Sequence, residues 1–157
     1  MHSGHPQRII PVLYEDESYI VFDKPAGVLV IPAPGETKQT LVDIVNRQCA
    51  SAQGWKLHPC HRLDRETSGA ILFAKGKGQQ QAMMALFHRQ AVSKKYIAFV
   101  HGKLPQRQGE LRSAIRDLDQ VKFQRGARAK PSVTRYKVLE EKKSFSVVEV
   151  TPVTGRT

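Results

Sequence analysis

The sequence predicts an α+β fold with a mixed, largely antiparallel central sheet and flanking helices. Three observations predict it. Short apolar runs with strand character come in pairs joined by charged turns near both ends, two segments between them carry apolar residues at helical spacing, and no repeat or linker interrupts the 157 residues. That length suits one ordinary domain with a core of its own. A hydrophobic fraction of 40% beside a charged fraction of 25% places the chain among globular rather than disordered sequences.

Ile9–Tyr14 and Ser18–Asp23 are β-rich runs on either side of the acidic turn Glu15-Asp16-Glu17 and read as a hairpin. Lys24-Pro25-Ala26-Gly27 ends the second strand, Val28–Ile31 is a third apolar run, and Pro32-Ala33-Pro34-Gly35 makes a loop. Thr40 is placed to cap a helix over residues 40–51, with Asp43 three residues on and Leu41, Ile44, Val45 and Gln48/Cys49 on one face. Lys56 to Thr67 has Pro59, mixed charge and no period, so it reads as loop. Gly69–Lys75 is a strand of buried type. Gln79–Gln90 carries Ala82, Met83, Leu86 and Phe87 on one stripe and reads as an amphipathic helix, its two methionines as core filler.

Lys95–Val100 reads as another buried strand, and the basic stretch Gln106–Lys130 as loops around a short strand. Ser132–Leu139 and Phe145–Val150 alternate at period two and form a second hairpin through Glu140–Lys143. The sequence stops at Thr154-Gly155-Arg156-Thr157, soon after this last strand and with no closing element, which leads to the expectation of a missing C-terminal segment within a single domain spanning residues 1–157.

The net charge of +11 is unevenly placed: residues 1–60 hold 5 Lys/Arg against 6 Asp/Glu, and residues 61–157 hold 20 against 8. A surface of this kind concentrates polyanions and favours phosphate contacts, although a solvated basic face without a partner has the same composition. Cys49 and Cys60 are too few for a zinc site or a disulfide scaffold and read as reduced, structural thiols. No apolar run approaches the roughly 18 residues needed to span a bilayer, and the N-terminus lacks the pattern of a secretory signal. A soluble cytoplasmic protein with no membrane partner is expected.

Reactive side chains concentrate in His58-Pro59-Cys60-His61-Arg62-Leu63-Asp64-Arg65. His58, His61 and Asp64 would share a face of a helix and hold a metal, but Pro59 opposes the helix and the two arginines oppose the cation. Cys60 with a histidine would make a nucleophilic pair, but adjacent His61 points away in an extended loop. The third chemistry is a lone carboxylate, Asp64, kept ionised by Arg62 and Arg65 and held by the hydroxyl-rich turn Thr67-Ser68-Gly69. Against this third reading stands a plain surface salt bridge between the aspartate and its arginines.

The run His61-Arg62-Leu63-Asp64-Arg65-Glu66-Thr67-Ser68-Gly69, followed by the apolar Ala70–Ala74, resembles the signature of the RluA-type pseudouridine synthases. Three further segments match that family in order: Asp23-Lys24-Pro25-Ala26-Gly27, Lys94-Lys95-Tyr96-Ile97-Ala98-Phe99-Val100, and Thr151-Pro152-Val153-Thr154-Gly155-Arg156-Thr157. The resemblance implies the catalytic fold of these enzymes, without a separate S4-like RNA-binding module, and isomerisation of uridine to pseudouridine in structured RNA, rRNA or tRNA. It implies Asp64 as the catalytic carboxylate, Tyr96 stacked on the target base and a candidate for proton transfer at C5, and Arg156 paired with the aspartate. Arg62 would fill the space of a flipped base, and Arg65 and Lys95 would join it in binding substrate. Lys94, Arg125, Arg128 and Lys130 are plausible phosphate contacts. No cofactor, no metal and a monomer are expected, and so is an alternative role as an inactive RNA-binding remnant.

Overall fold

A computed structural model describes residues 9–35, 39–49, 54–115 and 130–154. The class is α+β as expected. Its strands divide between two four-stranded sheets in which every pairing is antiparallel, and the chain separates after Phe87 into two compact units.

In the first unit, β1 (Val12–Glu15) and β2 (Tyr19–Lys24) form the predicted hairpin. Its turn is fixed by Asp16, whose Oδ1 accepts from the Ser18 and Tyr19 N–H groups at 2.8 and 2.7 Å. The same two bonds hold the Asp16 carboxyl below its usual range. β4 (Gly69–Ala74) lies between β2 and the two-residue β3 (His58–Pro59), giving the order β1-β2-β4-β3. The sequence left β3 as loop because two residues, one of them proline, carry no readable period.

Period-two alternation turns Ile20 and Phe22 of β2 and Ile71 and Phe73 of β4 into the core, where Phe22 and Phe73 meet edge to face with centroids 5.6 Å apart. Helix α1 (Leu41–Cys49) adds Leu41 and Val45. Thr40 and Asp43 form the anticipated cap: the Thr40 hydroxyl and N–H donate to Asp43 Oδ2 at 2.7 and 3.0 Å, and the Asp43 N–H points back at Thr40 Oγ1, 3.4 Å away. The apolar run 28–31 is irregular backbone; Val28 and Val30 are buried, while the Leu29 and Val30 carbonyls accept the first N–H groups of α1 from Leu41 and Val42.

Helix α2 spans Lys77–His88, two residues earlier than the sequence suggested. Only Phe87 of its stripe is buried; Met83 is half-buried, and Met84 and Leu86 are exposed at 49% and 37%, so the methionines are not simple core filler.

The second unit has the order β5-β8-β7-β6, from β5 (Tyr96–His101), β6 (Gln108–Ile115), β7 (Lys130–Glu141) and β8 (Phe145–Pro152): β6, β7 and β8 form a meander, and β5 pairs with β8 at the opposite edge from β6. β6 pairs with β7 over eight residues and is longer than the short strand expected in this basic stretch, whose residues 116–129 lie outside the described residues. Charged residues on a sheet's open face hide the alternation that marks a strand. Val138 and Val148 are buried opposite one another, and the Ser146 hydroxyl donates to Gly102 O at 2.8 Å.

Candidate active site

β2 presents its core face at Ile20, Phe22 and Lys24, so a lysine stands at a core position and is 0% exposed. Its ammonium donates to three backbone carbonyls: Pro25 O at 3.1 Å, Arg65 O at 3.0 Å and Thr67 O at 2.6 Å. Two of these belong to the His61–Gly69 segment. The Gly27 N–H adds a third tie to that segment by donating to Arg65 O at 2.8 Å, from a turn in which Gly27 holds φ at +83°. The segment around Asp64 is thus fastened to the end of β2 across about forty residues of sequence, the separation of Lys24 and Arg65.

Within the segment the Thr67 N–H donates to Asp64 O at 3.1 Å and closes a turn, Leu63 is buried beneath it, and Gly69 enters β4 at φ +111°. At the other end, His61 Nε2 accepts from the Leu72 N–H at 3.1 Å, and its ring lies 4.7 Å from that of Phe87.

On this anchored loop Asp64 is exposed. Arg62 is exposed and Arg65 half-buried, yet neither forms an ion pair with Asp64 within 4.0 Å among the described residues. Among the described residues, no salt bridge accounts for this aspartate. The rival chemistries also lose ground. Burial pushes the Cys60 thiol up to about 11, far from a thiolate at neutral pH. His61 has committed Nε2 to a backbone donor. Burial, followed by the charges of Lys56 and Lys77, lowers the pKa of His58. Among the described residues no three His, Cys, Asp or Glu side chains group as metal ligands.

In the second unit Tyr96 opens β5 half-buried, paired across the sheet with Val150, and Lys95 forms an exposed ion pair with Glu149 at 3.3 Å. Lys94 is half-buried. On β6 and β7, Arg112 and Arg135 both pair with Glu110, at 2.7 and 3.3 Å, so part of the basic charge there is locally balanced. Lys130 begins β7, whereas Arg125, Arg128 and Arg156 lie outside the described residues.

Sequence reasoning missed the positioning parts of the site, Lys24 and the backbone role of His61. A signal for the first was present: Ile20-x-Phe22-x-Lys24 puts a lysine in step with two core residues of a strand.

The chain resembles known proteins in both sequence and fold. The family described as RNA pseudouridylate synthase matches residues 18–157. A dual-specificity RNA pseudouridine synthase RluA of Vibrio cholerae is 35% identical over 154 residues, covering 94% of this chain and 60% of the relative. A ribosomal large subunit pseudouridine synthase D of Zymomonas mobilis is 33% identical over 165 residues, covering 98% and 51%. Among solved structures, human RNA pseudouridylate synthase domain containing 4 superposes with a TM-score of 0.73 at 30% identity, over 92% of this chain and 59% of that one. The chain spans between half and two thirds of the length of these relatives.

Proposed function

The chain belongs to the RluA-type branch of the RNA pseudouridylate synthase family, and from that premise we propose that it isomerises uridine to pseudouridine in structured RNA, rRNA or tRNA, with Asp64 as the catalytic carboxylate. The observation that carries the assignment of Asp64 is the contrast between a fixed loop and an uncommitted side chain. A buried lysine, a glycine turn and an imidazole hold residues 61–72, while the Asp64 side chain makes no ion pair among the described residues; Glu66, also exposed and without an ion pair there, falls at a position that the family pattern leaves variable. An exposed acid that contributes no structural bond, on a loop that does, is a group placed to react.

The reaction breaks the N1–C1′ bond of uridine, turns the uracil and rejoins it to the ribose through C5, with no net redox change. Asp64 acts by attack at C1′, by attack at C6, or by assisting a glycal intermediate. Tyr96 offers an aromatic face for the target base and a phenol for proton transfer at C5. Arg156 supplies a cation for the aspartate, Arg62 takes the place of the flipped base, and Arg65 and Lys95 contact the RNA. The chain acts in the cytoplasm as a monomer and as part of one catalytic domain; among the described residues no helix is long and apolar enough to cross a membrane.

The test is tritium release from C5-labelled uracil in rRNA and tRNA transcripts. Wild-type chain should release tritium, while Asp64→Asn should release none and still bind RNA with unchanged affinity. Binding without turnover by the wild-type chain would assign it the role of an RNA-binding remnant. Turnover by Asp64→Asn would remove the aspartate from the mechanism.

A further inference from the structure

β3 has two residues, His58 and Pro59, paired with Ala74 and Phe73 of β4. The next pair in that register is Cys60 with Leu72, and one of its bonds is made: the Cys60 N–H donates to Leu72 O at 2.9 Å. In a continued antiparallel ladder the Leu72 N–H would return the bond to Cys60 O. It is donated instead to His61 Nε2, at 3.1 Å. A side chain has taken the place of the strand's next carbonyl.

Resting on the reading that Asp64 is the working carboxylate, we propose that His61 is a positioning residue, whose imidazole satisfies the Leu72 amide in place of backbone and thereby sets where the Arg62–Asp64 segment leaves the sheet. The physical need is clear. The Leu72 N–H lies in β4, between strands, where an amide without an acceptor is costly. If backbone alone met that need, the chain would have to run on beside β4. With the acceptor supplied by a ring, the backbone turns away at Cys60 and His61, Leu63 drops into the core, and Asp64 emerges at the surface three residues later. The ring cannot swing freely, because it lies against Phe87 of α2 at an interplanar angle of 33°.

The geometry also fixes the tautomer. A backbone N–H can only donate, so Nε2 carries its lone pair and the proton of neutral His61 sits on Nδ1.

The test uses the 157-residue chain and two variants. His61→Phe keeps a ring to stack on Phe87 but has no acceptor; His61→Gln loses the ring and offers a carbonyl oxygen at similar reach. In the wild-type chain, nitrogen-15 spectra of the imidazole should show the Nδ1–H tautomer at neutral pH. His61→Phe should exchange the Leu72 amide roughly tenfold faster, from loss of one hydrogen bond, while Ile71 and the other β2–β4 amides keep their rates and report an intact fold. On uridine-containing RNA, kcat of His61→Phe should fall roughly 100-fold, the scale of a displaced catalytic group, with KM unchanged. His61→Gln should restore most of both losses. An Nε2–H tautomer, an unchanged Leu72 exchange rate in His61→Phe, or a His61→Gln no better than His61→Phe would each overturn the proposal. Absence of turnover by the wild-type chain would overturn the functional reading alone, since the tautomer and the exchange rates still decide the role of His61.

Discussion

Replacing Lys24 by methionine removes an ammonium and leaves a stem of similar length in the core, so the change in apolar burial is small. What goes is the bonding to Pro25 O, Arg65 O and Thr67 O. Hydrogen bonds from a charged donor contribute about 1.5–3 kcal/mol each, or roughly 4–9 kcal/mol for three. Two effects oppose this loss. The interior no longer holds a desolvated ammonium, which relieves several kcal/mol, and Arg65 O keeps its second donor, the Gly27 N–H. The net destabilisation should be about 2–4 kcal/mol, which for a chain of this size lowers Tm by roughly 4–16 °C.

Urea unfolding followed by fluorescence reads this in the right unit, because the single tryptophan, Trp55, lies in the first unit with Lys75 Nζ 4.9 Å from its ring centroid. A Lys24→Met midpoint indistinguishable from wild type, within about 0.5 kcal/mol as for an ordinary surface change, would refute the clamp. So would a large loss accompanied by an equal loss in Asp64→Asn, which should leave the midpoint where it is.

Gly27→Ala tests the tie from the Gly27 N–H to Arg65 O. A Cβ there meets nothing within 4 Å, so the cost is the positive φ alone, about 1–2 kcal/mol, and amide exchange at Gly27 should rise with it; an unchanged midpoint would mean the turn relaxes freely. Thr40→Ala removes the helix cap and should cost about 1 kcal/mol near neutral pH. The Thr40 hydroxyl, then its N–H, holds the Asp43 carboxyl below its usual range. A depressed folded value stabilises above the unfolded pKa of about 4 and is lost as pH falls through the folded one. The gap between wild type and Thr40→Ala should therefore shrink below pH 4, and a constant gap would show that the carboxylate plays no part. Cys60, buried and pushed up to about 11, should resist alkylation at pH 8 in the native protein and react in urea; rapid native labelling would contradict its place in the core.

Elements that carry their own period were legible. The first hairpin, the capped α1, the central β4 and the β7–β8 hairpin all declare themselves by local alternation, helical spacing or a turn signal. Missed features depend on partners remote in sequence. β3 exists only because β4 offers it an edge. β6 is extended because β7 pairs with it through eight residues, and Gly109 is covered by the ring of Tyr136 opposite. The division into two sheets is a property of which strands meet, and no single strand records it. For the site, a signature of side-chain types marked Asp64, but its supports are backbone carbonyls and amides, which have no letter in a sequence.

That difference bears on how the signature should be understood. Of the residues His61 to Gly69, the carbonyls of Arg65 and Thr67, the imidazole of His61, the side chain of Leu63 and the φ of Gly69 all serve to hold the segment. Asp64, like its exposed neighbours Arg62 and Glu66, makes no ion pair and no side-chain hydrogen bond among the described residues. Were Asp64 instead tied to Arg62 or Arg65, reaction would first have to break that pair, and the energy that held the loop would oppose the chemistry. On the role proposed for Asp64, separating the two tasks avoids the conflict: backbone and buried groups supply the rigidity, and the carboxylate is left to substrate. Lys24 is the clearest instance, since its ammonium donates to two carbonyls of the aspartate's loop. Its ammonium fixes where the backbone of residues 65 and 67 lies, and through that backbone, where Asp64 stands.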